Sequence, residues 1–136
     1  MKKRVLFLCT HNSCRSQMAE GLLRDLAGDK FDVYSAGVNP TSVNSLAKKV
    51  MKEIGIDISG QQSKSVDEFL DKGFDYVITV CDNARQTCPF FPGNHELLHW
   101  NIEDPAATQG SDEERLMVFR KVRDQIRENI RQLIVR

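Results

Sequence analysis

Apolar and polar positions fall into alternating blocks along the chain, and the blocks predict strands and helices in turn. Val5 to Cys9 and Tyr76 to Cys81 are near-continuous apolar runs, the pattern of strands buried on both faces. Phe31 to Ala36 and the shorter signal Leu97 to Trp100 complete a set of four strands. Between them, Ser16 to Ala27 puts Ala19, Leu22, Leu23 and Leu26 on one helical stripe and stops at Gly28. Ser45 to Ile54 carries Leu46, Val50, Met51 and Ile54 at helical spacing and ends at Gly55. A last helix follows Ser111, which with Glu114 forms a capping box. In it Leu116, Phe119, Val122, Ile126, Ile130 and Leu133 recur at steps of three and four. Asp112 and Glu113 open that helix and arginines close it, in the sense the helix dipole favours.

Strands alternating with helices imply right-handed crossovers and an α/β fold, a four-stranded parallel sheet with helices on both faces. Ligands of such sheets bind beyond the carboxyl ends of the strands. With Cys9 closing the first strand and Cys81 the third, both thiols are expected at the same rim.

The chain of 136 residues, without repeat, low-complexity tract or linker, reads as one domain over 1–136. Nineteen basic residues balance nineteen acidic ones, so no overall field favours nucleic acid or an anionic membrane, and any anion binding must be local. The apolar run in MKKRVLFLCTHNS is too short for a signal peptide, and nothing approaches the roughly 18 apolar residues of a membrane span. A cytoplasmic protein is expected. Its four cysteines then require a catalytic, redox or metal-binding explanation rather than a structural disulfide framework.

The loop CTHNSCRS offers that chemistry. Cys9 and Arg15 stand in the spacing C-x5-R, with Ser16 at the start of the next helix. A short loop between a strand end and a helix N-terminus can turn several amides inward as an anion cradle. Arg15 adds a planar fork for two oxyanion oxygens. The same positive surroundings favour thiolate at Cys9, since helix N-termini and cations bring cysteine pKa values to about 3.5 to 7.5. Ser16 is placed to donate to that sulfur. The spacing alone also describes a small core cysteine followed by a surface arginine. Its position between a buried strand and a capped helix selects the nucleophile. Cys14 is either loop packing or a protective partner for Cys9.

The block VLFLCTHNSCRSQMAEG resembles the low-molecular-weight phosphatase superfamily, whose domain is a three-layer sandwich, and QMAEG is similar to its thioredoxin-coupled arsenate reductase branch. The resemblance spans essentially the whole chain. It implies that Cys9 is the nucleophile and that Thr10, His11, Asn12, Ser13, Cys14 and Arg15 hold the oxyanion. His11 stands where many members have Gly; a positive φ there would suit His less well than Gly.

VCDNARQTCPFFPG leaves the third strand and runs through Pro89, Pro92 and Gly93, the chemistry of a loop or short helix. Cys81 and Cys88, with His95 and His99, make C-x6-C-x6-H-x3-H. That pattern lacks the closely spaced cysteine pair of common zinc sites, and no metal is expected. The resemblance implies a relay instead. Cys81 attacks once Cys9 has captured arsenate, Cys88 then attacks Cys81, and thioredoxin reduces the final disulfide as electron donor, with no tightly bound cofactor. The polar residues between the two cysteines make an opening of that segment inexpensive.

Asp104-Pro105 is by itself a common turn dipeptide, though Pro105 also holds the preceding residue extended and able to aim a carboxylate. The resemblance implies that Asp104 is the general acid, with Glu103 the neighbouring candidate. Asn12, Glu20 and Ser35 align with a potassium site of some reductases. Lys64 falls where those supply another acidic ligand, so a Glu20–Lys64 pair is expected in place of potassium. The expected protein is thus a monomeric arsenate reductase. A low-molecular-weight tyrosine phosphatase and a non-catalytic metal-binding or redox-sensing module are the competing readings.

Overall fold

The computed structural model describes residues 2–89, 91, 93 and 95–136; Pro92 of the predicted loop lies outside them. The strands β1 (Lys3–Cys9), β2 (Phe31–Gly37), β3 (Tyr76–Thr79) and β4 (Glu96–His99) form one parallel sheet in the order β2-β1-β3-β4. The helices are α1 (Arg15–Ala27), α2 (Ser45–Lys52), α3 (Asp82–Thr87) and α4 (Asp112–Ile134). The order reverses at β1, so the crevice of the sheet opens beyond the ends of β1 and β3.

Each strand shows why it is where it is. Val5 to Leu8 are fully buried because β1 is central and covered on both sides. Along β2, Ser35 reaches Glu20 of α1. Tyr34, one residue away and therefore on the opposite face, packs edge-on against Phe69 and Phe74 with ring centres 5.7 Å apart in each case. Phe91 extends that aromatic cluster from Phe74 at 5.6 Å. α4 buries Leu116, Phe119, Val122, Ile126, Ile130 and Leu133, and its capping box of Ser111 and Glu114 is formed. Arg120 forks onto Glu53 at 2.8 and 3.0 Å, while the nearly buried Arg123 donates to Val50 O at 2.8 Å, clasping α4 to α2. The hydrogen bond from Arg120 holds the Glu53 carboxyl below its ordinary pKa.

Several boundaries differ from the pattern reading. β3 stops at Thr79 rather than Cys81, because Cys81 has already turned to become the N-cap of α3. β4 starts at Glu96 and ends at His99, not Leu97 to Trp100, and α2 ends at Lys52 rather than Ile54. Leu26 is 42% exposed, since the inward position in the last turn of α1 is taken by Ala27. Gly28 ends α1 at φ −62°, and the left-handed turn falls instead on Gly55 at φ 82°.

Beyond β2 the chain runs back along the first loop. Amides of Val38, Asn39, Thr41 and Asn44 donate to the carbonyls of Cys9, Thr10, His11 and Ser13 at 2.8 to 3.2 Å. Gly37 permits this approach: a Cβ there would sit 2.7 Å from Thr10 O and 2.9 Å from the Asn12 nitrogen, both backbone atoms. Replacing Gly37 with Ala therefore forces the two segments apart. A loss of about 1–3 kcal/mol in urea unfolding is the expected result.

Candidate active site

The loop between β1 and α1 is built around Asn12. This residue is completely buried and is the one non-glycine residue at positive φ among those described, at 50°. The left-handed turn thus falls on Asn12, which tolerates it, and not on His11. Asn12 Nδ2 donates to Ser16 Oγ at 2.8 Å and to Ser35 Oγ at 3.0 Å, and Oδ1 accepts from the Lys64 amide at 2.9 Å. Its carbonyl accepts from Gln17 at 3.0 Å and from Ser63 at 2.6 Å. The side chain thereby ties the loop to α1, to β2 and to the segment before the third strand.

Cys9 is 3% exposed. Its sulfur receives the Asn12 amide at 3.2 Å and lies 2.8 Å from Ser16 Oγ. Ser16 Oγ accepts from Asn12 Nδ2, and its hydrogen is free to go to the sulfur when Cys9 is a thiolate. Two donors then converge on Cys9. Cys14 holds the N-cap position of α1 with no side-chain cap, correcting the expectation of a capped helix. The first-turn amides remain available for an anion, and the dipole of a 13-residue helix stands behind them.

Arg15 is anchored from its far side. Nη1 donates to Ile102 O at 3.0 Å and to Val80 O at 3.4 Å, and Nη2 lies 3.9 Å from Asp104 Oδ2. Asp104 accepts from the Ala106 amide at 3.0 Å and caps the 3-10 turn Pro105–Ala107, which aims the other carboxylate oxygen toward Arg15. Glu103, by contrast, pairs with Lys121 at 3.2 Å and does not line the cavity.

These elements enclose about 110 Å³. Cys9, Ser13, Cys14 and Arg15 line the cavity from the loop, Asp104 and Ala106 from the later turn, and His11 with Thr41 from the outside. The volume is well under the roughly 300–1,000 Å³ of pockets for larger organic ligands, and no Phe, Tyr or Trp lines it among the described residues. A small tetrahedral oxyanion is the fitting occupant. Thr10 and Asn12 turn their side chains elsewhere, to Cys81 and into the buried network. Thr41 carries no signal in the sequence, because only the pairing of its amide with His11 brings it to the site.

The thiols differ in environment. Burial pushes Cys14 up to about 12, so it stays a thiol beside Cys9. Cys81 is 7% exposed; its sulfur accepts from the Ala84 amide at 3.4 Å and lies 3.3 Å from Thr10 Oγ1. Cys88, half-buried at the other end of α3, is also raised by burial. All four thiols are free. Cys81, Cys88, His95 and His99 do not converge as a metal site among the described residues. The residues aligned with a potassium site do not fit that ion. Glu20 already faces Arg24 at 2.8 Å and the Lys64 ammonium at 3.9 Å, and accepts from Ser35.

The family model for low molecular weight phosphotyrosine protein phosphatases matches residues 4–136. An arsenate reductase of Halalkalibacterium halodurans is 52% identical over 130 residues, covering 96% of this chain and 94% of its own. A solved arsenate reductase in its oxidized state superposes with a TM-score of 0.84 at 37% identity, covering 98% of this chain and 97% of its own. A thioredoxin-dependent arsenate reductase from Corynebacterium glutamicum gives 0.72 at 30% identity, over 98% of this chain and 63% of that one.

Removing the Ser16 hydroxyl deletes a donor to Cys9. Ser16→Ala is expected to slow alkylation of Cys9 by iodoacetamide at neutral pH about tenfold, with Cys14 unlabelled until the protein is denatured. Mass-mapped alkylation rates check both outcomes.

Proposed function

We propose that this chain, which belongs to the low molecular weight phosphotyrosine protein phosphatase family, turns the anion cradle of that family to redox chemistry through three thiols. Arsenate reduction is its activity. The observation that carries the three-thiol reading is the pair of cysteines capping the two ends of α3, the first of them hydrogen-bonded into the substrate loop.

The geometry supports the following steps. Arsenate enters the cavity, its oxygens meeting the loop amides and the Arg15 fork. The Cys9 thiolate attacks arsenic, and Asp104 protonates the departing oxygen, which leaves as water. The Cys81 thiolate then attacks the Cys9 sulfur. The sulfur–arsenic bond breaks with its electron pair going to arsenic, releasing As(III) as arsenite and leaving a Cys9–Cys81 disulfide. The parallel register supports this encounter: Leu8 pairs with Thr79, so Thr10 lies level with Cys81.

Cys88 next attacks Cys81, freeing Cys9 and forming a Cys81–Cys88 disulfide. On an intact α3 this bond cannot close. Seven steps of about 1.5 Å place the two Cα atoms about 10 Å apart, beyond the roughly 7 Å a disulfide spans. α3 must unwind. Its six residues are too few for a self-sustaining helix, and only Ala84 is buried. Opening carries the oxidised pair outward, where thioredoxin, the donor named for the C. glutamicum relative, reduces it.

Some phosphatase activity accompanies this reading, because the cradle and Asp104 serve phosphate equally. The small volume of the cavity disfavours phosphotyrosine. The proposal describes a cytoplasmic monomer without nucleic-acid or membrane partners, in keeping with the balanced charge; no helix among the described residues is long and apolar enough to cross a membrane.

The test is arsenate-dependent NADPH consumption with thioredoxin and thioredoxin reductase, with aryl phosphate hydrolysis run alongside. Cys88→Ser is expected to release one arsenite per enzyme and then stop; sustained turnover in that variant removes the relay. Asp104→Asn is expected to lower kcat by about 10²–10⁴. Amide exchange across residues 81–89 is expected to rise on oxidation, and identical exchange in both redox forms would rule out the unwinding. Stoichiometric zinc by elemental analysis would favour the metal-binding module instead.

A further inference from the structure

His99 takes no part in the steps above, yet it stands between the sheet and the relay helix. It ends β4 and is largely buried, with 18% of its side chain exposed. Nδ1 lies 2.8 Å from the hydroxyl of Thr79, itself 1% exposed, at the end of β3. Nε2 lies 3.3 Å from Asp82 Oδ1, on the first residue of α3 and next to Cys81. A carboxylate only accepts, so this contact attracts when Nε2 carries a proton, and the Thr79 hydroxyl on the other nitrogen fixes the ring in that orientation.

α3 has few other ties. Asn83 Nδ2 donates to Thr10 Oγ1 at 3.1 Å, and the Ala84 amide donates to the Cys81 sulfur at 3.4 Å. The Thr87 hydroxyl returns to Asn83 O within the helix. The Asp82–His99 contact therefore joins the first turn of α3 to the edge strand of the sheet.

We infer that His99 is a positioning residue for arsenate reduction: held by Thr79, it latches Asp82, keeps α3 wound and capped by Cys81 while the thiols are reduced, and lets go when Cys81 and Cys88 join. The inference rests on the three-thiol reading. Its consequence is thermodynamic. The latch exists only in the dithiol form, so it stabilises that form and makes the disulfide easier for a reductant to remove. Without it, the balance moves toward the disulfide.

The measurement uses the Cys9→Ser protein, so that Cys81 and Cys88 are the reacting couple. Glutathione disulfide takes two electrons from the two thiols, giving two glutathione thiols and the Cys81–Cys88 bond. His99→Ala and the exposed Asp82→Ala are each expected to raise the equilibrium constant for oxidation about three- to fivefold, within the range of an exposed polar side-chain contact. This corresponds to a potential about 15–20 mV lower for the two-electron couple. Amide exchange at residues 84–87 of the reduced protein is expected to quicken by the same factor. His99→Gln, whose amide still reaches toward Asp82, recovers part of both effects, and the double variant adds nothing to either single one. Unchanged exchange and potential in both alanine variants, or fully additive effects, would overturn the latch. Failure of Cys81 and Cys88 to pair in any glutathione buffer would instead overturn the relay; amide exchange in the reduced Asp82→Ala protein then decides the latch, faster exchange supporting it and unchanged exchange rejecting it.

Discussion

Everything at the substrate site depends on one buried side chain holding a left-handed turn. Asn12 sits at φ 50° inside the protein with its amide hydrogens spent on Ser16 and Ser35 and its oxygen on the Lys64 backbone. Those bonds fix where the loop amides point and how Ser16 addresses Cys9. A backbone conformation that most residues avoid costs of order 1–3 kcal/mol. Here it is over-determined by neighbours on three different segments. The loop is consequently shaped before any anion arrives, and binding does not have to organise it.

The same economy of motion is absent from the second thiol. Cys9 lies in a tightly bonded loop at the end of the most buried strand, whereas Cys81 and Cys88 bracket six residues that bury one alanine. A rigid cradle suits capture of a tetrahedral anion. A weak helix suits the proposed relay, in which two thiols held apart in the reduced form come together. The sheet supplies both: β1 leads into the first site, and the chain leaving β3 enters α3 through Cys81.

Local surroundings separate the two cysteines that line the cavity. Burial drives Cys14 toward the neutral thiol, although it lines the same cavity as Cys9. Cys9 instead receives the Asn12 amide and the Ser16 hydroxyl. Glu20 shows a comparable replacement. With Arg24 and Lys64 beside it, the carboxylate beneath the loop is neutralised by side chains of the chain itself.

What the sequence determined was local. The stripe and capping box of α4, the buried run of β1, and the C-x5-R spacing between a strand and a helix are all relations among near neighbours, and periodicity or turn chemistry expresses them directly. Tertiary structure decided what depends on residues far apart in the chain. It placed the left-handed position on Asn12, sent the Thr10 side chain to Cys81, brought Thr41 to the cavity, and set His99 against Asp82. It also ended β3 two residues early, where Cys81 turns out of the sheet to cap α3. Such pairings follow from which strands lie side by side and from where loops cross the end of the sheet, and no pattern of neighbouring residues encodes that.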